Sequence, residues 1–284
     1  VRAARAAAGI AALLGLGALV VVSCGKGLDT NPEWADGSRF YLYASYSGAG
    51  SSGVARYEIN PEDGSLGPAA VFSSPTLTDP RIVRVHPSQP YLVASYRGAS
   101  QGAGLFRIEK DGSLTWLGSA NSPGYTFYTA EFHPSLPVLY LSEQLSGVNY
   151  VTRAPFSGQP GGLSLANSVS PSAVNTPLGI RVNTDATYIY QGAGTAVYAM
   201  PLDSGGVQTA LSATLSDCGA SSVLDMVFFP RALFAACAGG ALYKHNGYNP
   251  ANGGYAAPTT VGAPPTINAV ATARGHGVSL VVGT

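Results

Sequence analysis

The feature that most limits what this chain can become is a six-residue phrase that returns. Tyr41-Leu42-Tyr43-Ala44-Ser45-Tyr46 comes back fifty residues on as Tyr91-Leu92-Val93-Ala94-Ser95-Tyr96. Fainter copies give repeat starts near 41, 91, 138, 188, 233 and 279, a period of 45–50 residues. Other phrases keep the same step. Asp63-Gly64-Ser65-Leu66 recurs as Asp111-Gly112-Ser113-Leu114, and Val85-His86-Pro87-Ser88 recurs as Phe132-His133-Pro134-Ser135. A fixed period of this length marks a stack of one supersecondary unit repeated along the chain.

Each unit predicts four short strands. In the second, Leu92 to Ser95 and Leu105 to Glu109 are strands rich in apolar, aromatic and β-branched residues. Asp111-Gly112 supplies the turn, because both residues tolerate positive φ. Leu114 to Leu117 and Tyr128 to Phe132 follow, the last closed by His133-Pro134. No stretch of the body shows a 3.6-residue apolar period. Four strands every 45–50 residues predict an all-β fold, a β-propeller of four-stranded blades over residues 39–284. A solenoid and a β-sandwich are the other all-β solutions, but a sandwich has no reason to repeat a hexapeptide at a distance of fifty. About twenty-one strands are expected from Phe40 onward, five blades and one strand more. The expectation is a seven-bladed ring of which this chain is a part.

Composition agrees with stacked blades that bury both faces. The chain is 46% hydrophobic and 11% charged, and it holds 36 Gly and 20 Pro. That is too apolar for disorder and too rich in Gly and Pro for a helical protein. Arg2 and Arg5 precede seventeen residues, Ala6 to Val22, without a polar side chain, and Ser23-Cys24 follow. A basic start, an apolar run and a small residue at the cut are the pattern of an export signal. Val21-Val22-Ser23-Cys24 resembles a bacterial lipobox, which implies a signal over 1–24, lipidation of Cys24 and a lipid-anchored protein of the bacterial cell envelope, facing the periplasm or the exterior. A short transmembrane anchor and an ordinary cleaved signal are the alternatives. Residues 25–38 are polar and read as a flexible tether. Without Arg2 and Arg5 the remainder carries 13 basic against 15 acidic residues, so nothing draws it to nucleic acid.

Four scattered histidines show no His-x-His or His-Glu-x-x-His spacing, so no metal site is expected. Gly-x-Ser-x-Gly does not occur, and no glycine-rich loop joins a strand to a helix, so no hydrolase elbow and no nucleotide cofactor is expected. Cys218 and Cys237 form an even pair that an oxidising compartment would join. A buried free thiol at Cys237 is the other reading, and both stay open here. His245 and His276 read as isolated surface groups.

The units "YLYASYSGAG…VARYEINPEDGSL", "YLVASYRGA…LFRIEKDGSL" and "FHPSLPVLYLSEQLSGV" resemble the lactonase-like seven-bladed propeller family, which includes 6-phosphogluconolactonase and carboxymuconate-cyclising enzymes. The resemblance spans residues 40 to 284. It implies His, Arg and Glu around the central channel, within a segment Pro-Arg-His-x-x-Phe-His-Pro and a following strand that ends in Asn-Glu. Carried onto this chain, the second histidine falls on His133 and the glutamate on Glu143. The first histidine falls on Thr129 and the arginine on Tyr128. The preceding unit keeps Arg81 but has Ile82 where the histidine would stand. Neither copy carries the full motif.

Lactone hydrolysis needs an activated water and positive charge on the carbonyl oxygen. Arg81, Arg84 or Arg181 would supply the charge, and Glu131, Glu143 or His133 the base. Against this, His86 and His133 both precede Pro in a repeated turn that they are placed to hold, and Arg84 and Glu131 read as a pair that balances charge. Two classes remain. One is a binding or scaffold module whose ligand is a small molecule, a glycan or a protein. The other is a lactone hydrolase acting in the channel. The altered motif and the exported location favour the first, because phosphorylated sugar lactones are cytosolic metabolites.

Overall fold

A computed structural model describes residues 39–48, 51–60, 62–73, 77–96, 101–171, 176–216, 218–219, 221–229, 232–262, 269–275 and 277–283. The leader, Cys24, the tether and His276 lie outside the described residues, and so does the side chain of Arg81. Every regular element among the described residues is a strand.

The chain divides into two compact units. The first, Val1–Asn121 with Phe156–Ser164, holds two sheets. One is β1 (Phe40–Gly48), β2 (Ser51–Ile59) and β3 (Ala70–Phe72). The other is β4 (Pro80–Val85), β5 (Tyr91–Tyr96), β6 (Gly102–Ile108) and β7 (Leu114–Ala120), paired antiparallel in chain order. Their facing sides enclose a core of Tyr41, Tyr43, Val54, Leu77, Val83, Leu92 and Phe106, with Trp116 against it.

The second unit, Ser122–Pro155 with Leu165–Thr284, holds three four-stranded sheets and a pair. The sheets are β8 (Thr126–Phe132) to β11 (Ser168–Val169) through β9 (Val138–Leu145) and β10 (Val148–Pro155); β12 (Pro177–Val182) to β15 (Ala213–Ser216) through β13 (Tyr188–Ala193) and β14 (Ala196–Pro201); and β16 (Val223–Phe229) to β19 (Thr259–Gly262) through β17 (Ala232–Cys237) and β18 (Leu242–His245). β20 (Ala269–Gly275) and β21 (Gly277–Gly283) form the pair. The first strand of each sheet lies beside the first strand of the next, β8 by β12, β12 by β16, β16 by β20. Sheets that touch along their first strands and pack face to face are blades. The fold is an all-β propeller with about five blades.

The structure shifts the repeat by one strand. In the β4–β7 sheet the Tyr-Leu-x-Ala-Ser phrase is the second strand, β5, and Tyr128 to Phe132, expected to close that unit, instead opens the next sheet as β8. The second strand is covered on both faces, so its composition is the most constrained. β9 shows this, with Val138 to Glu143 all buried.

Blades are tied as well as packed. In the second unit the Tyr140 hydroxyl donates to the Gly206 carbonyl at 2.7 Å, and the Tyr190 hydroxyl donates to the Gly253 carbonyl at 2.8 Å. Each tyrosine sits on a second strand and each acceptor lies in the third-to-fourth-strand turn of the following blade. In the first unit Tyr43 makes the same bond to Gly112, at 2.7 Å. The acceptor glycine has positive φ, +70° at Gly206 and +71° at Gly253, which turns its carbonyl toward the tyrosine. A Cβ at Gly253 would also stand 2.5 Å from the Tyr188 ring. Burial pushes both phenols up, so they stay protonated donors.

Tyr190→Phe keeps the ring and strands the Gly253 carbonyl. The expected loss is about 1–2 kcal/mol of unfolding free energy with the urea slope unchanged. A urea midpoint equal to that of the parent would show that the strap carries no stability.

Candidate functional site

The first strands position the charged residues. Each carries a register shift at the same place, Phe127/Thr129 in β8, Pro177/Gly179 in β12 and Val223/Asp225 in β16. In the first unit β4 has it at Pro80/Ile82. A bulge sharpens the twist and re-aims the side chains that follow. It brings together Glu131, Arg181 and Asp225 from three successive blades.

Arg181 lies between the two carboxylates. Its Nη1 is 3.0 Å from Glu131 Oε2 and its Nη2 is 2.7 Å from Asp225 Oδ1. The side chains keep only 14%, 15% and 9% of their exposure, in the order Arg181, Glu131, Asp225. The same groups also serve the backbone of their own strands. Arg181 Nη1 donates to the Ile180 carbonyl at 2.9 Å, Glu131 Oε1 accepts the Phe132 N–H at 3.1 Å, and Asp225 Oδ1 accepts the Met226 N–H at 2.9 Å. β8, β12 and β16 are edge strands, with no strand beyond them in their sheets. Their outward N–H and C=O groups need partners, and these side chains supply them. Burial alone would lower the Arg181 pKa, but Asp225 and Glu131 outweigh it and the net direction is up. The guanidinium is fixed as a cation with both terminal nitrogens engaged.

Of the residues expected from sequence, the structure brings Glu131 and Arg181 together and adds Asp225, which was not foreseen. Arg84 is in the other unit, where it is buried and its Nη1 lies 3.3 Å from the Val83 carbonyl, the bond that Arg181 makes to Ile180. Thr129, standing where the resemblance puts a histidine, is buried.

Glu143 is apart from these three, near the end of β9. It is 1% exposed, and its Oε2 accepts the Ser122 hydroxyl at 2.8 Å. Burial raises its pKa, and hydrogen bonds from Thr152 and Ser122 offset part of the rise. Tyr125 and Tyr150 stack edge to face nearby, 5.2 Å between centroids.

His133 is spent on its turn. Nδ1 accepts the N–H of Ser135 at 3.2 Å and of Leu136 at 3.0 Å. His86 does the same for Ser88 and Gln89, at 3.2 and 3.1 Å. The third member of the series is Asn183, whose Oδ1 accepts the N–H of Thr187 at 3.0 Å and of Tyr188 at 2.8 Å. All three stand two residues after a charged inner-strand residue, at Arg84, Glu131 and Arg181. The sequence hides Asn183, because Asn183-Thr184 stands where the other copies have His-Pro, and only the spacing signals it. His245, expected at the surface, is 1% exposed, with Nδ1 3.2 Å from the Ala256 carbonyl and its ring against Tyr255.

Cys218 and Cys237 are bonded, with Cα atoms 5.5 Å apart, and both are buried. Among the described residues no group of three or more His, Cys, Asp or Glu side chains could hold a metal ion.

His133 makes a pH test. Burial, and then the charge of Arg153, lower its pKa in the fold. A depressed histidine pKa favours the native state above the unfolded value of about 6.5, and that contribution fades as pH falls below it. Protonation of Nδ1 would also remove the acceptor of two N–H groups. His133→Asn copies Asn183 and does not titrate. The melting temperature of the parent is expected to fall more steeply than that of His133→Asn between about pH 7 and pH 5. Parallel curves would contradict the assignment.

No protein-family model matches the sequence, and no curated protein matches it. Solved structures do. The periplasmic gluconolactonase PpgL of Pseudomonas aeruginosa matches with a TM-score of 0.64 and 13% identity, over 78% of this chain and 69% of that one. A 6-phosphogluconolactonase-type protein of Bacteroides uniformis, described as putative, matches with a TM-score of 0.63 and 18% identity, over 84% and 72%. A chain of a nidogen/laminin complex matches with a TM-score of 0.54 and 10% identity, over 85% and 80%. The first two give the fold as a propeller. At these identities the likeness is one of fold, and no residue role passes across with it.

Proposed function

We propose that this lactonase-like propeller is a binding module of the bacterial cell envelope, held there by lipid on Cys24 and using its blade-end loops to hold a small molecule, a glycan or a protein. The observation that carries this reading is the closure of Arg181 between Glu131 and Asp225. A guanidinium that polarises a lactone carbonyl must offer its donors to the developing oxyanion. Here one fork edge bonds two carboxylates and a backbone carbonyl. A base needs a free acceptor within reach of water, and the His133 Nδ1 already takes two N–H groups. The lactonase-like motif is therefore turned to the needs of the fold. The buried Cys218–Cys237 bond suits an oxidising compartment, as the export-type leader does.

A lactone hydrolase is the second reading. The raised pKa of Glu143 favours it, since a carboxyl tuned upward suits acid–base work, and so does the gluconolactonase named among the structural relatives.

One experiment separates them. The full chain is assayed against phosphorylated and unphosphorylated sugar lactones beside Glu143→Gln and Arg181→Ala, and cells making it are fractionated beside Cys24→Ser. The expected result is no turnover above buffer from folded protein, and release from the membrane fraction by Cys24→Ser alone. Turnover abolished by both site variants would replace the binding reading with the hydrolase. Membrane association unchanged in Cys24→Ser would remove the lipid anchor.

A further inference from the structure

Two unlike contacts in the second unit occupy one place in the repeat. Glu143 pairs across the sheet with Phe127, the residue just before the bulge of β8. Cys237 pairs with Val223, the residue just before the bulge of β16. Glu143, which also takes a hydrogen bond from Thr152, is tied to Ser122, five residues before Phe127, and Cys237 is tied to Cys218, five residues before Val223. Both partners open a tight turn closed from its fourth residue. The Tyr125 N–H donates to the Ser122 carbonyl at 3.0 Å, and the Ser221 N–H donates to the Cys218 carbonyl at 2.8 Å. Each turn holds a glycine of positive φ, Gly124 at +80° and Gly219 at +57°. Register, loop spacing, turn closure and the burial of Glu143 and Cys237 therefore coincide, while the glycine is third in one turn and second in the other and the chemistry of the tie differs.

We infer that Glu143 is a structural latch, the hydrogen-bonded counterpart of the Cys218–Cys237 disulfide. Both ties latch the turn that enters a first strand to the end of the second strand of the same blade. The strands so latched are β8 and β16, and these supply Glu131 and Asp225, the two carboxylates that grip Arg181. β12, which carries Arg181 itself, has Ala193 at the latch position, where Pro177 pairs with it. Alanine can make neither tie. The arginine strand is thus centred between two carboxylate strands whose entries are pinned. This assignment explains a fully buried carboxylate without a catalytic role, and it concerns the entry turns rather than the ligand, so it stands or falls apart from the binding reading.

The equivalence predicts that the two chemistries are interchangeable. The full chain carrying Ser122→Cys and Glu143→Cys is refolded with glutathione disulfide as oxidant. The two thiols give up two protons and two electrons to form the S–S bond, and the oxidant leaves as two glutathione thiols. The expected product is a second intramolecular disulfide, read by mass spectrometry as the loss of two hydrogens and mapped by peptide digestion. Its melting temperature should exceed that of Glu143→Ala, as rescue of a lost latch requires. Two free thiols in folded protein, or a bonded form that melts no higher than Glu143→Ala, would overturn the inference. Should that variant not fold, the reverse exchange decides. Cys218→Ser with Cys237→Glu should melt above Cys218→Ala with Cys237→Ala, and a melting point no higher would overturn the equivalence.

Discussion

The constraint on which the rest depends is the unpaired inner edge of each blade. A four-stranded sheet has two edges, and packing blades face to face covers neither. The outer edge meets solvent. The inner edge of β8, β12 and β16 is crowded by the first strands of neighbouring blades, so its N–H and C=O groups lose access to water. The chain meets this need with charge. Glu131 takes Phe132 N–H, Asp225 takes Met226 N–H, and Arg181 gives to the Ile180 carbonyl. Once there, the charges must answer one another, because unpaired ions are expensive where water is scarce. The triad follows from both demands.

This view orders the other parts. Tyrosine straps fix the spacing of successive blades, through Tyr140 to Gly206 and Tyr190 to Gly253. His133 and Asn183 close the turns that lead out of the inner strands, and the ties at Ser122 and Cys218 set the turns that lead in. Each inner strand of the two carboxylate blades is thereby held near its start, and its charged side chain is delivered to a fixed point. His133 and Glu143 are engaged in this frame, the first in its turn and the second at Ser122. A shared fold does not by itself carry a shared activity.

The repeat was legible because the second strand of each blade is buried on both faces, which leaves its sequence little freedom. The turns were legible where Gly and Asp mark them, as at Asp111-Gly112, where Gly112 has φ of +77°. Blade boundaries were displaced by one strand because the edge strand answers to weaker rules of composition. Glu131 and Arg181 were visible as charges at matching positions, but their pairing spans 50 residues and nothing local declares it. Asp225 lay hidden two residues off that register, on the position that Thr129 and Gly179 fill in the preceding blades. His245 is hard to read from sequence because one polar residue in a short strand carries no sign of the Tyr255 ring that packs against it.

The most direct test of the account is residue-resolved amide hydrogen exchange at Phe132 and Met226 in the native protein. If Glu131 and Asp225 close the inner edges, both amides exchange as slowly as the central-strand amides of β9 and β17, through global rather than local opening. Exchange at the rate of the exposed turns would show that the inner edges are open to water, and the charged triad would then need another reason to exist.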